Sequence, residues 1–309
     1  MTMMEDEDDW LTSDIFNGSF HNDYILGEMI GRGSVSTVYT CLYKGRKKFA
    51  CKMVPKDRLN KSEVRSKVET LLKLRHNNII SVKMVYNESR HLFVITDLAS
   101  GGELLERLAS RGGHSERDAA KAVRDALAAL NYLHGMGLWH GSVRPEKLIY
   151  ATEDENSRLL LVDRGIATNP LNGYNALYCA PEVLVGHVEN TAADIWSLGV
   201  VIYIMLCGFE PFRGTMVTFF PSPYWDDKTT EAKLLIRRLM QQRPEDRPTT
   251  RDLLLDPWVL GEKSSELPMP NTAKQLREFN ARRKFKAATL AVRATRRAMT
   301  FANYQEAVI

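Results

Sequence analysis

Between residues 24 and 54 apolar and polar positions alternate in three short runs, YILGEMIG, STVYTCLY and KKFACKMV, separated by turn residues. This period-two pattern predicts a strand meander, and Lys44-Gly45-Arg46 predicts a hairpin at its second connection. The period then changes. Over residues 60–75, Val64, Val68, Leu71 and Leu72 share one face of a predicted helix. Strands are predicted again at 80–86 and 91–97. Ser115, with Asp118 three residues later, can satisfy the orphan amides of a long helix that runs to about His134. The stretch from Leu138 to Ala167 predicts a turn holding a histidine, a short strand, a small hairpin, a second apolar strand and then Asp-Arg-Gly. Thr191, with Asp194 three residues later, opens the most apolar helix. Its core, Ile195 to Cys207, is too short to cross a bilayer and contains Ser197 and Gly199, so a buried helix is expected. A linker with two prolines, Gly261 to Asn271, marks a boundary before a last amphipathic helix that Thr272 and Gln275 would cap. In that helix Leu276 and Phe279 lie on one face, while Phe285, Val292 and Met299 recur every seven residues among basic positions.

Several turns carry candidate chemistry. The first connection, Gly31-Arg32-Gly33-Ser34-Val35-Ser36, would let backbone amides approach phosphate oxygens, although a lone Gly-x-Gly is more often a plain hairpin turn. Downstream come Ala50-Cys51-Lys52, then His140-Gly141-Ser142-Val143-Arg144-Pro145-Glu146-Lys147, Asp163-Arg164-Gly165, Ala180-Pro181-Glu182, Asp194-Ile195-Trp196 and Arg243-Pro-Glu-Asp-Arg247. In this order they resemble the motifs of a eukaryotic protein kinase of the calmodulin-dependent group, over about residues 22–300. The resemblance implies an α+β, bilobal protein-kinase-like fold, with a small β-rich lobe, a larger helical lobe and a C-terminal regulatory helix. It divides the chain into an acidic extension (1–21), a kinase-like domain (22–260) and a linker with a basic regulatory helix (261–309).

The same resemblance implies a nucleotide cleft. ATP would meet Ile30, Gly31, Gly33 and Val38 from the first turn, and Ala50 and Lys52 from the third strand. Thr96, Asp97 and Ala99 would form the hinge, with Glu103, Ile149 and Asp163 below, and Asp163 would hold at most one Mg²⁺ well. Glu182 is expected to pair with Arg247. Asp194 is either a simple helix cap or the carboxylate that holds the catalytic loop's backbone. The loop itself, however, is degenerate. Against the family's His-Arg-Asp and Lys-Pro-Glu-Asn words it keeps His140, but the catalytic acid's place holds Ser142, the lysine's holds Arg144 and the asparagine's holds Lys147.

Other departures accompany these. The helix glutamate that should anchor Lys52 falls on Lys67, with Glu63 one turn earlier as either a substitute or a solvated i,i+4 partner. The activation segment, residues 166–179, is short and offers only the hydroxyls of Thr168, Tyr174 and Tyr178. A helix that the family places before Pro221 is missing. The ammonium of Lys147 is expected to stand in for the charge of a second metal ion. Two functions of different class follow: a catalytically impaired scaffold or switch, or an atypical serine/threonine kinase using another acid.

Composition adds partners to this picture. The net charge of the 309 residues is only +4, but residues 5–9 are all acidic, whereas 282–297 holds seven Lys or Arg and no acid. A basic amphipathic helix suits calmodulin or a membrane surface, or else docks permanently on its own domain. The words Phe-Asn-Ala-Arg-Arg-Lys resemble a calmodulin-dependent regulatory segment, which puts Phe279, Arg282, Arg283, Lys284, Phe285, Lys286, Leu290 and Val292 on the calmodulin-binding face. Four cysteines without paired spacing, and a start that is acidic rather than basic and then apolar, point to a cytoplasmic protein with no membrane span. Nucleic acid is not an expected partner.

Overall fold

The computed structural model describes residues 18–33, 36–59, 61–88, 90–110, 113–163, 176–187, 190–213, 216–217 and 220–286. A helical turn α1 (Phe20–Asp23) leads into strands β1 (Tyr24–Arg32), β2 (Thr37–Tyr43) and β3 (Lys47–Pro55). With β4 (Val82–Asn87) and β5 (His91–Thr96) they make an antiparallel sheet of order β1-β2-β3-β5-β4. The predicted β2–β3 hairpin forms with Lys44 and Gly45 both left-handed (φ 46° and 69°), and Arg46 N–H donates to Tyr43 O at 3.0 Å. Two positive φ angles give the turn the twist that adjoining strands need.

Period two sorts the sheet's faces. Phe49 and Cys51 of β3 join an aromatic cluster with Phe20, Tyr24, Tyr86 and Phe93, while Lys52 leaves from the other face. Helix α2 (Lys61–Lys73) packs Val64 and Val68 against that other side, and ends two residues sooner than its apolar period suggests.

In the larger lobe, α4 (Glu116–Gly135) starts with the expected capping box, Ser115 and Asp118 bonding reciprocally. Helix α6 (Thr191–Cys207) is buried along nearly its whole length. It opens at Thr191 as expected, and the side chain of Asn190 accepts from Ala193 N–H at 3.0 Å, so the cap is supplied without Asp194. After α6 a two-stranded hairpin, β8 (Phe212–Arg213) with β9 (Met216–Val217), precedes α7 (Thr230–Leu239) and α8 (Thr250–Leu254). Among the described residues no helix lies between α6 and α7, as the early Pro221 suggested.

Two buried carboxylates knit this lobe together. Glu116, almost fully enclosed, accepts from Thr229 N–H (2.8 Å), Thr229 Oγ1 (2.7 Å) and Trp258 Nε1 (2.8 Å), so the start of α4 organises distant segments. Glu182, on the short helix α5 (Pro181–Leu184), takes both terminal nitrogens of Arg247, at 2.7 and 2.8 Å. Arg247 also donates to Gln241 O and Ala192 O and lies over the Trp196 ring, so every face of its guanidinium is engaged. The expected pair is thus present and bidentate.

The last helix, α9 (residues 270–286 as far as described), starts two residues before its expected cap. Thr272 is inside it, and its hydroxyl donates to Leu206 O at 3.1 Å, tying α9 to the end of α6. Gly208 ends α6 in the left-handed region (φ 80°), and a Cβ there would lie 2.5 Å from Gln275 Cβ, so only glycine admits α9 at this distance. The linker is not free either: Ser265 N–H reaches Glu116, and Met269 N–H donates to His114 O at 2.9 Å.

Arg247→Met should destabilise the larger lobe by about 3–5 kcal/mol in urea unfolding, because Glu182 is left buried without its partner. Burial raises the Glu182 carboxyl, but the bonds from Arg247 outweigh this and hold it below its ordinary 4.5. A depressed folded value means that the contribution is present above the unfolded value and is lost as pH falls through the folded one. The wild type should therefore lose stability below about pH 4.5, and the variant should lose less over the same range.

Candidate functional site

Asp194 sets the loop that faces the sheet. Its carboxylate accepts from the backbone N–H groups of His140 (2.8 Å) and Gly141 (2.9 Å) and lies 2.9 Å from His134 Nε2. Of the two roles open to it from sequence, the structure places it on the loop. His140 is buried, with Nε2 3.2 Å from Val162 O, and burial pushes its imidazole down to about 4, so it sits there neutral. Lys147 N–H and Arg144 O close a 2.9 Å turn, and Val162 N–H returns to Lys147 O at 2.8 Å. Strands β6 (Leu148–Tyr150) and β7 (Leu159–Leu161) then hold Asp163 directly beneath the loop.

Asp163 adopts a left-handed backbone (φ 61°) and receives an ammonium on each carboxylate oxygen. Lys52 Nζ donates to Oδ1 and Lys147 Nζ to Oδ2. Burial alone would raise the Asp163 carboxyl, but Lys147 and Lys52 hold it well below the usual carboxylate range. Burial lowers the Lys147 ammonium, with the Lys52 and Arg144 cations adding to that effect and Asp163 opposing it. Beside this triad, Arg144 Nη1 donates to Ser142 Oγ at 2.6 Å. The hydroxyl at the family's acid position thus has a cation on its oxygen, and it cannot serve as a base near neutral pH.

The remaining predicted cleft residues flank the triad. Val38 pairs in register with Lys52 and with Gly31, and Gly33 N–H closes the turn on Ser36 O at 2.8 Å. Ala50 pairs with Thr96, and Glu103 bridges to Ile149. Ile30 is half exposed at the end of β1. Asp97 N–H donates to Ser81 O at 3.1 Å, and its carbonyl accepts the Thr96 hydroxyl at 3.1 Å. Lys67 turns to Glu63 at 2.7 Å on the open face of α2, the surface-pair alternative, while Lys147 reaches Asp163. Thr168 and Tyr174 lie outside the described residues, while Tyr178 is buried.

Phosphates fit this cleft, since two ammonium groups and a glycine turn are brought together. A magnesium ion does not, because both Asp163 oxygens that would coordinate it are held by ammoniums.

Helix α9 reaches the rim of the same cleft. Arg283, buried, pairs with Glu103 and, at 2.9 Å, with Glu146, while Lys284 pairs with Glu106. Ala273, Leu276 and Phe279 bury against the larger lobe. Asn280 is buried with them, and neither amide atom has a hydrogen-bond partner among the described residues. Arg282, Phe285 and Lys286 are exposed, with Phe285 at 76%. The predicted calmodulin face is therefore divided, with Phe279 and Arg283 turned inward, and Leu290 and Val292 lie outside the described residues. The Arg283 clamp carries no local sequence signal, since its partners are 180 and 137 positions away.

The protein kinase domain pattern matches residues 24–259. The chain belongs to the protein kinase family. It is 39% identical over 289 residues to human calcium/calmodulin-dependent protein kinase type IV, covering 87% of this chain and 61% of that protein. It is also 32% identical over 304 residues to calcium/calmodulin-dependent protein kinase type 1 of Caenorhabditis elegans, covering 91% and 87% respectively. A type 1 enzyme of Macrobrachium nipponense matches at 32% over 306 residues. The chain thus spans about three fifths of the length of the type IV relatives. Among the described residues no helix is long and apolar enough to cross a membrane.

Leu276→Ala should loosen α9, since truncating a fully buried leucine typically costs about 2–5 kcal/mol. Hydrogen exchange over residues 270–286 should speed up roughly tenfold or more, while protection within α6 stays unchanged. Equal exchange in the two proteins would mean that this contact does not hold the helix.

Proposed function

We propose that this chain acts by binding, as a calcium/calmodulin-responsive scaffold or switch on a kinase fold whose phosphoryl transfer is lost. The observation that carries this reading is the Ser142 hydroxyl, with Arg144 on its oxygen, in the place of the acid that orients a substrate hydroxyl. A positioned general base contributes about 10²–10⁴-fold in rate, and Glu146, the loop's remaining carboxylate, is held by Arg144 and Arg283. Among the described residues Lys52 has no acidic α2 partner, which supports the same reading, because that pair is one of two contacts an assembled kinase needs. In this proposal the domain boundaries are 1–21, 22–260 and 261–309, and Lys52 and Lys147 hold the phosphates of ATP while Val38, Ala50 and Ile149 flank its base. The nucleotide would supply a γ-phosphoryl group, and this chain's residues bind and orient it without activating an acceptor.

A second reading has an observation in its favour: the relatives at 32–39% identity are named as protein kinases. An active enzyme would need another acid. Radiolabelled ATP and a general protein substrate separate the two, with Asp163→Ala as the control. We expect incorporation indistinguishable from that control; transfer that disappears in the variant would establish the active enzyme instead.

Calmodulin is proposed from the relatives' names and from the exposed Arg282, Lys284, Phe285 and Lys286. Since Phe279 and Arg283 face the lobe, capture of the whole helix requires α9 to lift off. The full chain should be retained on calmodulin resin with calcium and released by EGTA, and Phe285→Asp should weaken retention. Retention that ignores calcium would sink this part of the proposal.

A further inference from the structure

The family's phosphate chemistry depends on divalent metal, yet the residues here oppose one. Lys147 occupies the place of a neutral ligand, and its ammonium sits on one oxygen of Asp163, the carboxylate expected to hold a metal. Lys52 holds the other oxygen. A magnesium ion demands near-ideal octahedral oxygen ligands at about 2.0–2.1 Å. To bind Asp163 it would have to strip an ammonium away and then remain beside that like charge. Lys52, Lys147 and the adjoining Arg144 bring three cations to the floor of the cleft against two carboxylates, Asp163 between the lysines and Glu146 on Arg144, a surplus of one positive charge. That surplus is built into three different elements of the fold: β3, the turn before β6, and the loop held by Asp194.

A polyphosphate needs its charge neutralised, and rigidly placed donors do this without ligand exchange. We propose that the cleft binds a nucleoside di- or triphosphate as the metal-free polyanion, with the Lys147 ammonium on the phosphates where other kinases place a metal ion. The inference rests on the reading of the cleft as a nucleotide site, but not on whether phosphate is transferred. Asp163 then keeps the two ammoniums apart and aimed, a positioning role in place of a ligand role. Magnesium, by complexing free nucleotide, competes with the protein for the same phosphate oxygens.

The test is a titration of the full chain with a fluorescent ATP analogue, once in EDTA and once in excess magnesium, with inorganic tripolyphosphate as a competitor. We expect affinity in EDTA to equal or exceed that in magnesium. Tripolyphosphate should displace the analogue less effectively than ATP, because it lacks a base. Lys147→Asn should weaken binding in EDTA by roughly 10–100-fold, as loss of a charged hydrogen bond does, and turn magnesium from a competitor into a requirement. Lys147→Arg should retain the metal-free binding. A wild-type affinity that falls tenfold or more in EDTA overturns the proposal, as does the absence of binding in both conditions. Displacement by tripolyphosphate as effective as by ATP overturns the assignment to a nucleotide. The wild-type comparison decides the matter even if the Asn variant does not fold. Magnesium-dependent binding without phosphotransfer would refute this inference and leave the non-catalytic reading standing.

Discussion

The geometry of the cleft depends on one carboxylate held between two ammoniums. Asp163 lies below the loop, Lys52 descends from the sheet, and Lys147 stands on the turn that enters β6. The pairing joins the two lobes through charge, and the charges are shielded enough from water for that to matter. Among the described residues Lys52 pairs with Asp163 and not with an α2 acid, since Lys67 holds Glu63 and Arg65 holds Glu69. Asp194 plays the complementary part. By gripping the amides of His140 and Gly141 it fixes the loop against α6, so Lys147 has a firm base from which to reach Asp163.

Much of this was legible in the sequence, for identifiable reasons. Strand alternation over 24–54, the Ser115–Asp118 cap and the Lys44-Gly45 turn are local signals, in which the residue types themselves dictate the backbone. The Glu182–Arg247 pair and the grip of Asp194 came from motif order, since no local rule joins residues 65 or 54 positions apart. What failed to show was tertiary. Asn190 caps α6, with an extended backbone just ahead of the first helical residue, and no spacing rule had singled it out. Thr272 became a buried link to Leu206 instead of a cap, since Pro270 already supplies a favourable first helical residue. The sequence marked Lys147 as an oddity, but only the fold gave it a partner.

Helix α9 unites the two ends of the functional argument. One face belongs to the larger lobe through Ala273, Leu276 and Phe279, and its buried Arg283 reaches the carboxylates at the rim of the cleft. The opposite side keeps Arg282, Phe285 and Lys286 toward solvent. Residues that a single sequence motif groups together are divided by the helical period into a docked set and a presented set.

Asn280 gives that division a time dimension. Its amide is enclosed on the docked side without a partner among the described residues, whereas in a lifted helix water would satisfy both of its polar atoms. The residue thus favours departure while the leucine and phenylalanine beside it favour contact. A seat built this way holds its helix less tightly than its apolar contacts alone would, so its lifetime on the lobe is shorter than the buried area implies.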